Sequence, residues 1–193
     1  MTMKLGLVSD IHAEAHALRS ALEALVARGV DKILCAGDLV DKGPDGDEVV
    51  ALMQSWLIPC VQGNHDLGAV ESARLDGGSG LKAQTLAVLE GLPVTRRYLW
   101  EGCRVLLAHA APYNQSTYVF PDDIPKAFKR KARGFDTDVL ILGHTHRPMC
   151  VPYRGMWLVN PGSVCGQRPR DSHTCAILTL PTMDFEVIEL GCV

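Results

Sequence analysis

The feature that most constrains the fold is the alternation of short apolar runs with amphipathic segments at the start of the chain. Residues 4–8, 32–36 and 58–61 are apolar runs of strand length, and residues 14–28 and 47–56 between them carry apolar side chains at helical spacing. Parallel strands need a crossover connection, which is usually a helix. The sequence therefore predicts a βαβαβ start to a largely parallel sheet.

The rest of the chain predicts more strands with fewer helices between them. Residues 74–80 are rich in glycine and predict a loop, residues 81–92 predict a helix, and residues 126–133 predict a basic helix. Strands are predicted at residues 97–101, 104–108, 139–142, 149–152, 156–159, 174–180 and 185–190, the last four being antiparallel. We therefore expect an α/β (α+β) fold in which two mixed β-sheets pack together and are flanked by helices.

Length and composition favour one globular domain that spans residues 1–193. A core of ordinary size forms from roughly 100–200 residues, and a hydrophobic content of 47% is enough to fill it. The formal net charge of -3 provides no general attraction for nucleic acid or for an anionic membrane. A phosphate group would therefore have to be held by local charges.

Two features predict a cytoplasmic protein with reduced thiols. The apolar run at the N-terminus meets Asp10 too early for a signal peptide, and no apolar stretch elsewhere approaches the ~18 residues of a membrane span. The seven cysteines are odd in number and form no Cys-x-x-Cys pair. This favours free thiols over a disulfide framework or a zinc knuckle.

Six clusters of polar residues each follow an apolar run directly. They are Ser9-Asp10-Ile11-His12, Gly37-Asp38-Leu39-Val40-Asp41, Gly63-Asn64-His65-Asp66, His109, Gly143-His144-Thr145-His146 and Asn160-Pro161-Gly162-Ser163. Each cluster falls where a predicted strand ends, and the carboxyl ends of parallel strands meet along one edge of a sheet, where open α/β sheets bind ligands. Clusters that are distant in the sequence are thus expected to be neighbours in space.

The side chains in these clusters have the chemistry of a metal centre. Seven of them are candidate ligands, more than one tetrahedral site needs: Asp10, His12, Asp38, Asn64, His109, His144 and His146. This mixed oxygen and nitrogen set suits manganese, iron, cobalt, nickel or zinc, and manganese is expected to serve better than magnesium. Two divalent metal ions about 3.5–4 Å apart, with a shared carboxylate and a shared water, would use all seven and make the water a nucleophile. The pattern therefore predicts hydrolysis of phosphate esters.

The ordered motifs resemble those of the calcineurin-like metallophosphoesterase superfamily, in particular its small bacterial and archaeal phosphodiesterases without a cap domain. Asp-x-His, Gly-Asp-x-x-Asp, Gly-Asn-His-Asp, a single His and Gly-His-x-His occur in this order over residues 10–146. The resemblance implies a four-layer αββα sandwich. It implies that a first metal ion is held by Asp10, His12, Asp38 and His146, and a second by Asp38, Asn64, His109 and His144, with Asp38 as the bridge.

The same resemblance leaves His65 free of metal. It implies that His65 protonates the leaving alkoxide and that Asp41 orients the His65 ring through its other nitrogen. The sequence departs from the family pattern at Ser9 and Ala110, which replace glycine, and at Lys42, which stands where related hydrolases have arginine. Lysine is a point charge rather than a planar fork, so a phosphate-binding role does not carry over directly to position 42.

Other residues leave alternatives open. The candidates for a contact with the phosphate are Lys42, Arg147, Arg168 and Arg170. The aromatic residues Tyr113, Tyr118 and Phe120 follow His109 and could stack on a substrate base, although an ordinary hydrophobic plug is the simpler interpretation. His16 and His173 are interpreted as solvated, and the basic run at residues 126–133 as a charged helix surface rather than a nucleic-acid contact.

The expected function is the metal-dependent hydrolysis of a small phosphodiester, or of a monoester. A diadenosine tetraphosphate hydrolase is an alternative, because residues 37–45 are similar to the corresponding segment of such enzymes, and a nuclease is another. A third alternative is a catalytically silent scaffold, such as the retromer subunit of the superfamily. Such scaffolds lack part of the ligand or acid set, whereas none of it is missing here. The sequence predicts neither the natural substrate nor the oligomeric state.

Overall fold

Two β-sheets packed face to face form the centre of the molecule. The computed structural model describes residues 2–76, 78–131 and 134–191. The strands are β1 Met3–Val8, β2 Lys32–Cys35, β3 Thr95–Trp100, β4 Cys103–Ala108, β5 Val139–Ile141, β6 Pro148–Tyr153, β7 Met156–Pro161, β8 Thr174–Leu180 and β9 Asp184–Glu189. The helices are α1 Ala15–Ala27, α2 Gly46–Ser55, α3 Asn64–Asp76, α4 Ala83–Glu90 and α5 Lys126–Lys131.

Both sheets are mixed, as the sequence predicted. The four-stranded sheet has the order β2-β1-β8-β9, in which β1 and β2 are parallel and β8 is antiparallel to both of its neighbours. The five-stranded sheet has the order β3-β4-β5-β7-β6, in which β4, β5 and β7 are parallel and the edge strands are antiparallel. Each sheet therefore contains parallel strands whose carboxyl ends can carry site residues.

The apolar cores fix the order of the layers. Leu18 and Leu22 lie on one face of α1, four residues apart, and both are buried against the outer face of the four-stranded sheet. Leu7 of β1 and Leu107 of β4 belong to the core between the two sheets. Phe128 of α5 is buried against the outer face of the five-stranded sheet. The order is helix, sheet, sheet, helix, so the predicted four-layer αββα sandwich is confirmed.

The third strand predicted over residues 58–61 is wrong, because this segment forms only an isolated bridge between Cys35 and Cys60. The N–H of Cys35 donates to the carbonyl oxygen of Pro59 at 3.0 Å, and the N–H of Val61 donates to that of Cys35 at 3.3 Å. Pro59 has no N–H with which to extend the ladder in the other direction. The segment still runs beside β2 and leads to the same edge of the sheet.

Helix α3 is an element that the sequence did not predict. It covers Asn64–Asp76 and replaces the first part of the loop predicted over residues 74–80. Its sequence, NHDLGAVESARLD, has no regular apolar stripe. Its buried side chains include Val70, which joins the same core as Leu89 of α4, and Asp66, which bonds to a neighbouring loop. Tertiary contacts, rather than an amphipathic pattern, therefore stabilise this helix.

The other predicted helices and strands are confirmed, with small differences at their ends, but β7, predicted as antiparallel, is antiparallel only to β6 and pairs in parallel with β5. Arg133, at the end of the predicted basic helix, and Cys192 lie outside the described residues. The six cysteines that the structure describes are unpaired. Within the described ranges, the helices all fall short of the length and apolar character that a bilayer crossing requires.

Candidate metal centre

The polar clusters converge at one edge, where the two sheets meet. Asp10 follows β1 and Asp38 follows β2 in the four-stranded sheet, whereas His109 follows β4 and His144 follows β5 in the five-stranded sheet. The sheets are joined here by a hydrogen bond of 2.7 Å, which the Nδ1–H of His109 donates to the carbonyl oxygen of Ala36. The centre is therefore built from the strand ends of both sheets.

One cluster of buried side chains contains Asp10, His12 and His146. The Nε2 atom of His146 lies 3.2 Å from Oδ1 of Asp10 and 3.2 Å from Nε2 of His12. The Nε2 atom of His12 also lies 3.8 Å from Oδ2 of Asp38. These four side chains are the ones that the resemblance assigned to a first metal ion.

The second cluster contains Asp38, His109 and His144, with Asn64 beside them. The Nε2 atom of His109 lies 3.2 Å from Oδ2 of Asp38, 3.1 Å from Oδ1 of Asn64 and 3.2 Å from Nδ1 of His144. The same oxygen of Asp38 thus faces both clusters. The structure brings together all seven of the residues that the sequence predicted as ligands.

The hydrogen bonds of two rings show that the donor set fits a cation. The Nδ1–H of His109 donates to a backbone carbonyl, and the Nδ1–H of His146 donates to Oδ1 of Asp171 at 2.6 Å. A neutral ring with its proton on Nδ1 carries a lone pair on Nε2. In both residues this Nε2 atom faces a carboxylate oxygen, at 3.2 Å. Lone pairs that converge in a buried space repel unless a proton or a metal ion lies among them, so with both rings neutral these residues suit divalent metal ions.

Burial and charge divide the histidines into two kinds. Burial lowers the pKa of His12 and of His144 to about 4, so both rings are neutral at pH 7. Burial also lowers the pKa of His109, but the Asp38 carboxylate outweighs it, and the pKa is raised to about 10. For Asp38, the neighbouring His109 overcomes the effect of burial and lowers the pKa of the carboxyl group. A proton and a metal ion therefore compete for the Nε2 atom of His109.

Five of the predicted ligands have a left-handed backbone, which residues other than glycine rarely adopt. The φ angles are 52° at Asp10, 50° at His12, 57° at Asp38, 66° at His144 and 57° at His146. Such conformations cost on the order of 1–3 kcal/mol each and persist only where the surroundings enforce them. Their concentration at these strand ends marks a functional site.

Asp66 holds the loop that carries Asp38, a role that the sequence analysis did not assign. Its buried carboxylate accepts the backbone N–H groups of Gly63 at 2.9 Å, Asp38 at 3.0 Å and Leu39 at 2.7 Å. Burial, reinforced by the nearby Asp38 carboxylate, raises the pKa of Asp66 to about 6. Gly63 is required at its position, because an added Cβ would collide with the side chain and backbone of Asp38. The Gly-Asn-His-Asp motif therefore also positions Asp38.

His65 and Asp41 form a hydrogen-bonded pair beside both clusters. The Nδ1 atom of His65 lies 2.6 Å from Oδ2 of Asp41, so the ring donates to the carboxylate. The ring packs edge-on against that of His12, with 4.9 Å between centroids. The backbone N–H of His65 donates to Oδ1 of Asp38 at 2.9 Å. The pair predicted from the sequence is therefore in contact, and it lies next to the predicted ligands.

Asp171 is a second residue that the sequence analysis missed. Its side chain is buried and is shared by His146 and by Arg168, whose Nη2 lies 3.0 Å from Oδ1 of Asp171. Its sequence position, in a loop just after Arg170, carries no periodic or motif signal. Only the folded loop shows that this carboxylate orients a candidate ligand.

The Asn-Pro-Gly-Ser turn holds two ligand-bearing loops in place. The Nδ2 atom of Asn160 donates to the carbonyl oxygen of Gly143 at 2.6 Å, and the Oγ of Ser163 donates to that of Asp10 at 2.9 Å. Both side chains are buried. The turn therefore shapes the site from behind, as the sequence predicted.

A cavity of about 420 Å³ opens over the two clusters. It is lined by all four cationic residues that the sequence analysis named as candidates for a contact with the phosphate: Lys42, Arg147, Arg168 and Arg170. The Nζ of Lys42 lies 2.8 Å from Nε2 of His12, so this side chain reaches the first cluster. Positive charge thus surrounds the space in which a phosphate group would meet the ligands.

The aromatic residues after His109 divide between the core and the cavity. Tyr113 packs with Phe135 in the core under the five-stranded sheet, as the plug interpretation predicted. Tyr118 and Phe120 instead line the cavity, and the Tyr118 ring stacks on that of His144 with 3.9 Å between centroids. The plug interpretation is wrong for Tyr118, because 51% of its surface is exposed.

The remaining candidates lie outside the centre. His16 is exposed on α1, as predicted, whereas the solvated interpretation is wrong for His173, which is half-buried and donates from Nδ1 to the carbonyl oxygen of Val164 at 2.9 Å. On α5, Lys126 and Lys129 are exposed, as expected of a charged helix surface.

Comparison with known proteins agrees with this geometry. The profile of the calcineurin-like phosphoesterase superfamily domain matches residues 3–183. An uncharacterized protein of Methanocaldococcus jannaschii is 31% identical over 196 residues, which cover 86% of this chain and 77% of that protein. Phosphodiesterase YfcE of Escherichia coli is 26% identical over 165 residues, which cover 84% of this chain and 79% of that protein. The crystal structure of a metallophosphoesterase from Sphaerobacter thermophilus matches with a TM-score of 0.75 and 27% identity, covering 98% of this chain and 89% of that one.

The fold and the converging ligand groups define a metallophosphoesterase, a class of hydrolase. Within this class, the chain belongs to the calcineurin-like phosphoesterase superfamily. The family resemblance predicted from the motifs is confirmed.

Proposed function

We propose that this chain hydrolyses small phosphodiesters, or phosphomonoesters, with two divalent metal ions. The observation that carries the proposal is the position of Asp38, whose Oδ2 lies 3.8 Å from Nε2 of His12 and 3.2 Å from Nε2 of His109. One carboxylate between two sets of ligands suits a pair of cations better than a single one. The relative YfcE is named a phosphodiesterase, which supports the same reaction class.

The seven side chains divide between the two ions. Asp10, His12, Asp38 and His146 hold the first, and Asp38, Asn64, His109 and His144 hold the second. When bound, the ions supply the positive charge that polarises the phosphoryl group and makes water nucleophilic at neutral pH. Manganese is the expected ion, because imidazole suits it better than it suits magnesium.

His65 is the proposed general acid, and Asp41 positions it. The carboxylate of Asp41 accepts the Nδ1–H of His65 and orients the ring, so that Nε2 can give a proton to the leaving oxygen. The hydrogen bond from His65 outweighs the partial burial of Asp41 and lowers the pKa of its carboxyl group. Asp41 is therefore ionised at neutral pH and available to orient the ring.

Reconstitution with single metals tests this proposal. Metal-stripped protein is loaded with one divalent metal at a time and assayed on bis(p-nitrophenyl) phosphate, p-nitrophenyl phosphate, a cyclic nucleotide and a dinucleoside polyphosphate. We expect two bound ions per chain, turnover of the diester, and activation by Mn²⁺ at least as strong as by Mg²⁺. Two bound ions without turnover of any ester would overturn the proposal that this chain is an enzyme and would favour a catalytically silent scaffold.

A further inference from the structure

An aromatic shelf, formed by Tyr118 and Phe120, borders the centre. The ring of Tyr118 lies nearly parallel to that of His144, with 3.9 Å between centroids and 20° between planes. The ring of Phe120 stacks with that of Tyr118 at 5.7 Å and 9°. The guanidinium of Arg147 lies over the Phe120 ring at 5.5 Å from its centroid. The shelf therefore extends from His144, a candidate metal ligand, to the guanidinium of Arg147.

The local packing turns both rings of the shelf toward the cavity. Val119, between them in the sequence, is 2% exposed and belongs to the core, whereas Tyr118 is 51% exposed. Alternate side chains of this loop thus point in opposite directions, which leaves Tyr118 and Phe120 on the cavity wall. One face of the Tyr118 ring is covered by His144, and the exposed half of this side chain is an apolar surface that a ligand in the cavity can contact.

The cations of the cavity exceed what one phosphate needs. In the described part of the chain, Arg168 pairs with Asp171, whereas Arg147 and Arg170 have no carboxylate partner. Both arginines line the cavity, and Arg147 lies over the Phe120 ring of the shelf. A planar fork of this kind binds two phosphate oxygens at once. The cavity is therefore equipped for negative charge beyond the phosphate at the two clusters.

We propose that the substrate is a nucleotide ester that carries more than one phosphoryl group. Its base stacks on the aromatic shelf, and Arg147 and Arg170 bind the phosphate that is not hydrolysed. Stacking suits this role because every nucleobase presents a π-face. The inference rests on the proposed function, since the phosphate that is hydrolysed is the one at the two clusters.

Size and charge favour a small nucleotide over a polymer. A cavity of about 420 Å³ is within the range of sites that enclose one small molecule. A long nucleic acid binds to a broad positive surface, and the net charge of -3 gives this chain no general attraction of that kind. An oligonucleotide is therefore an alternative outcome of the test.

Two matched esters isolate the contribution of the nucleoside: thymidine 5′-(p-nitrophenyl phosphate) and methyl p-nitrophenyl phosphate. In both reactions the oxygen of water forms a bond to phosphorus, the bond from phosphorus to the p-nitrophenyl oxygen breaks, and that oxygen leaves with the electron pair. Because the leaving group is the same, the ratio of the two kcat/KM values reports binding of the nucleoside. We expect a ratio of about tenfold in favour of the thymidine ester.

Substitutions at the shelf test whether the rings cause this preference. Tyr118→Leu should bring the ratio close to one, whereas Tyr118→Phe keeps a ring and should preserve it. Trp56→Leu, at an exposed tryptophan that does not line the cavity, is the control for loss of an aromatic residue. Metal content is measured in each variant, because Tyr118 also stacks on His144.

Inhibition by nucleotides tests the second phosphate. Thymidine triphosphate should inhibit more strongly than thymidine monophosphate, and Arg147→Gln combined with Arg170→Gln should remove the difference. A wild-type ratio near one, equal inhibition by the two nucleotides, or faster cleavage of oligothymidylate would overturn the inference while leaving the phosphoesterase activity in place. Parallel loss of both esters and of metal in Tyr118→Leu would assign Tyr118 to the metal centre instead. No turnover of either ester would overturn the proposed function itself.

Discussion

The Nδ1–H of His146 donates to Oδ1 of Asp171 across 2.6 Å, and the carboxylate of Asp171 is fully buried. This bond fixes the ring so that its other nitrogen faces Oδ1 of Asp10 at 3.2 Å. Arg168 donates to the same carboxylate and, with His146, outweighs burial to lower the pKa of Asp171. The ligand that comes last in the sequence is thus oriented by a charged residue further along the chain.

Replacing Asp171 by asparagine should weaken metal binding at the first site, which contains His146, by about 10–100-fold, because His146 loses its charged partner. The affinity of the second site should stay unchanged. Calorimetric titration of metal-stripped protein with Mn²⁺ measures both sites. Asp122→Asn, on an exposed loop, is the matched control. Unchanged affinities in the Asp171 variant would show that His146 needs no such support.

Metal binding at pH 7 should release about one proton from His109. The pKa of His109 is raised to about 10, so the ring is charged at pH 7 and must lose a proton before Nε2 can bind a cation. His12 and His144, with the pKa of each lowered to about 4, have none to release. Apparent affinity should therefore rise with pH between 7 and 10.

Titrations with Mn²⁺ in two buffers of different ionisation enthalpy measure this proton release directly. His109→Gln should abolish the release, whereas His16→Gln, at an exposed histidine, should retain it. A binding enthalpy that is independent of the buffer would contradict the assignment of the proton to His109.

Asp38→Asn should remove more metal than any other single ligand substitution. The carboxylate faces both clusters, and its charge offsets two cations, whereas Asn64 contacts only the second cluster. Elemental analysis after gel filtration compares this variant with Asn64→Ala. Two retained ions in Asp38→Asn would show that Asp38 is no bridge.

Gly63→Ala should lower both metal content and thermal stability, because the added Cβ collides with Asp38. Gly68→Ala is the matched control, since a Cβ on this residue of α3 meets nothing within 4 Å. The control should gain about 0.5–1 kcal/mol in the free energy of unfolding, as alanine favours a helix. Urea unfolding of the metal-stripped proteins checks both. Equal stability of the two variants would argue against a close approach at Gly63.

His65→Asn should slow esters of alkyl alcohols by about 10²–10⁴-fold and esters of p-nitrophenol much less. A strongly basic leaving oxygen needs a proton, whereas p-nitrophenolate leaves without one. Metal content should stay unchanged. The opposite result, an equal loss on both esters with one ion missing, would make His65 a ligand, which its position within 4.8 Å of His12 and Asp38 also permits.

The sequence predicted the candidate ligands because their positions follow from topology. A polar residue that comes directly after a buried strand must lie at the end of that strand, and parallel neighbours bring such ends together. Asp10, Asp38 and His109 could therefore be predicted as candidate ligands without knowing the conformation of any loop. The four layers followed from the strand count and the family resemblance.

The roles that the sequence analysis did not assign depend on the conformation of loops. Asp66 and Asp171 accept hydrogen bonds from groups that are distant in the sequence, and no periodic sequence pattern predicts such a pairing. Tyr118 was assigned to a plug because composition alone does not say which way a loop side chain points. Helix α3 was missed because its sequence lacks an apolar stripe.

The division of the centre between the two sheets ties catalysis to the packing of the core. Asp38 follows a strand of one sheet and His109 follows a strand of the other, and the spacing between them depends on the core between the sheets, to which Leu7 and Leu107 belong. A larger or smaller side chain in that interface would tilt one sheet against the other and shift half of the ligands as a rigid group. Mutational tolerance should therefore be low in this hidden layer, whereas the helices should be free to diverge except at the start of α3, which carries Asn64, His65 and Asp66.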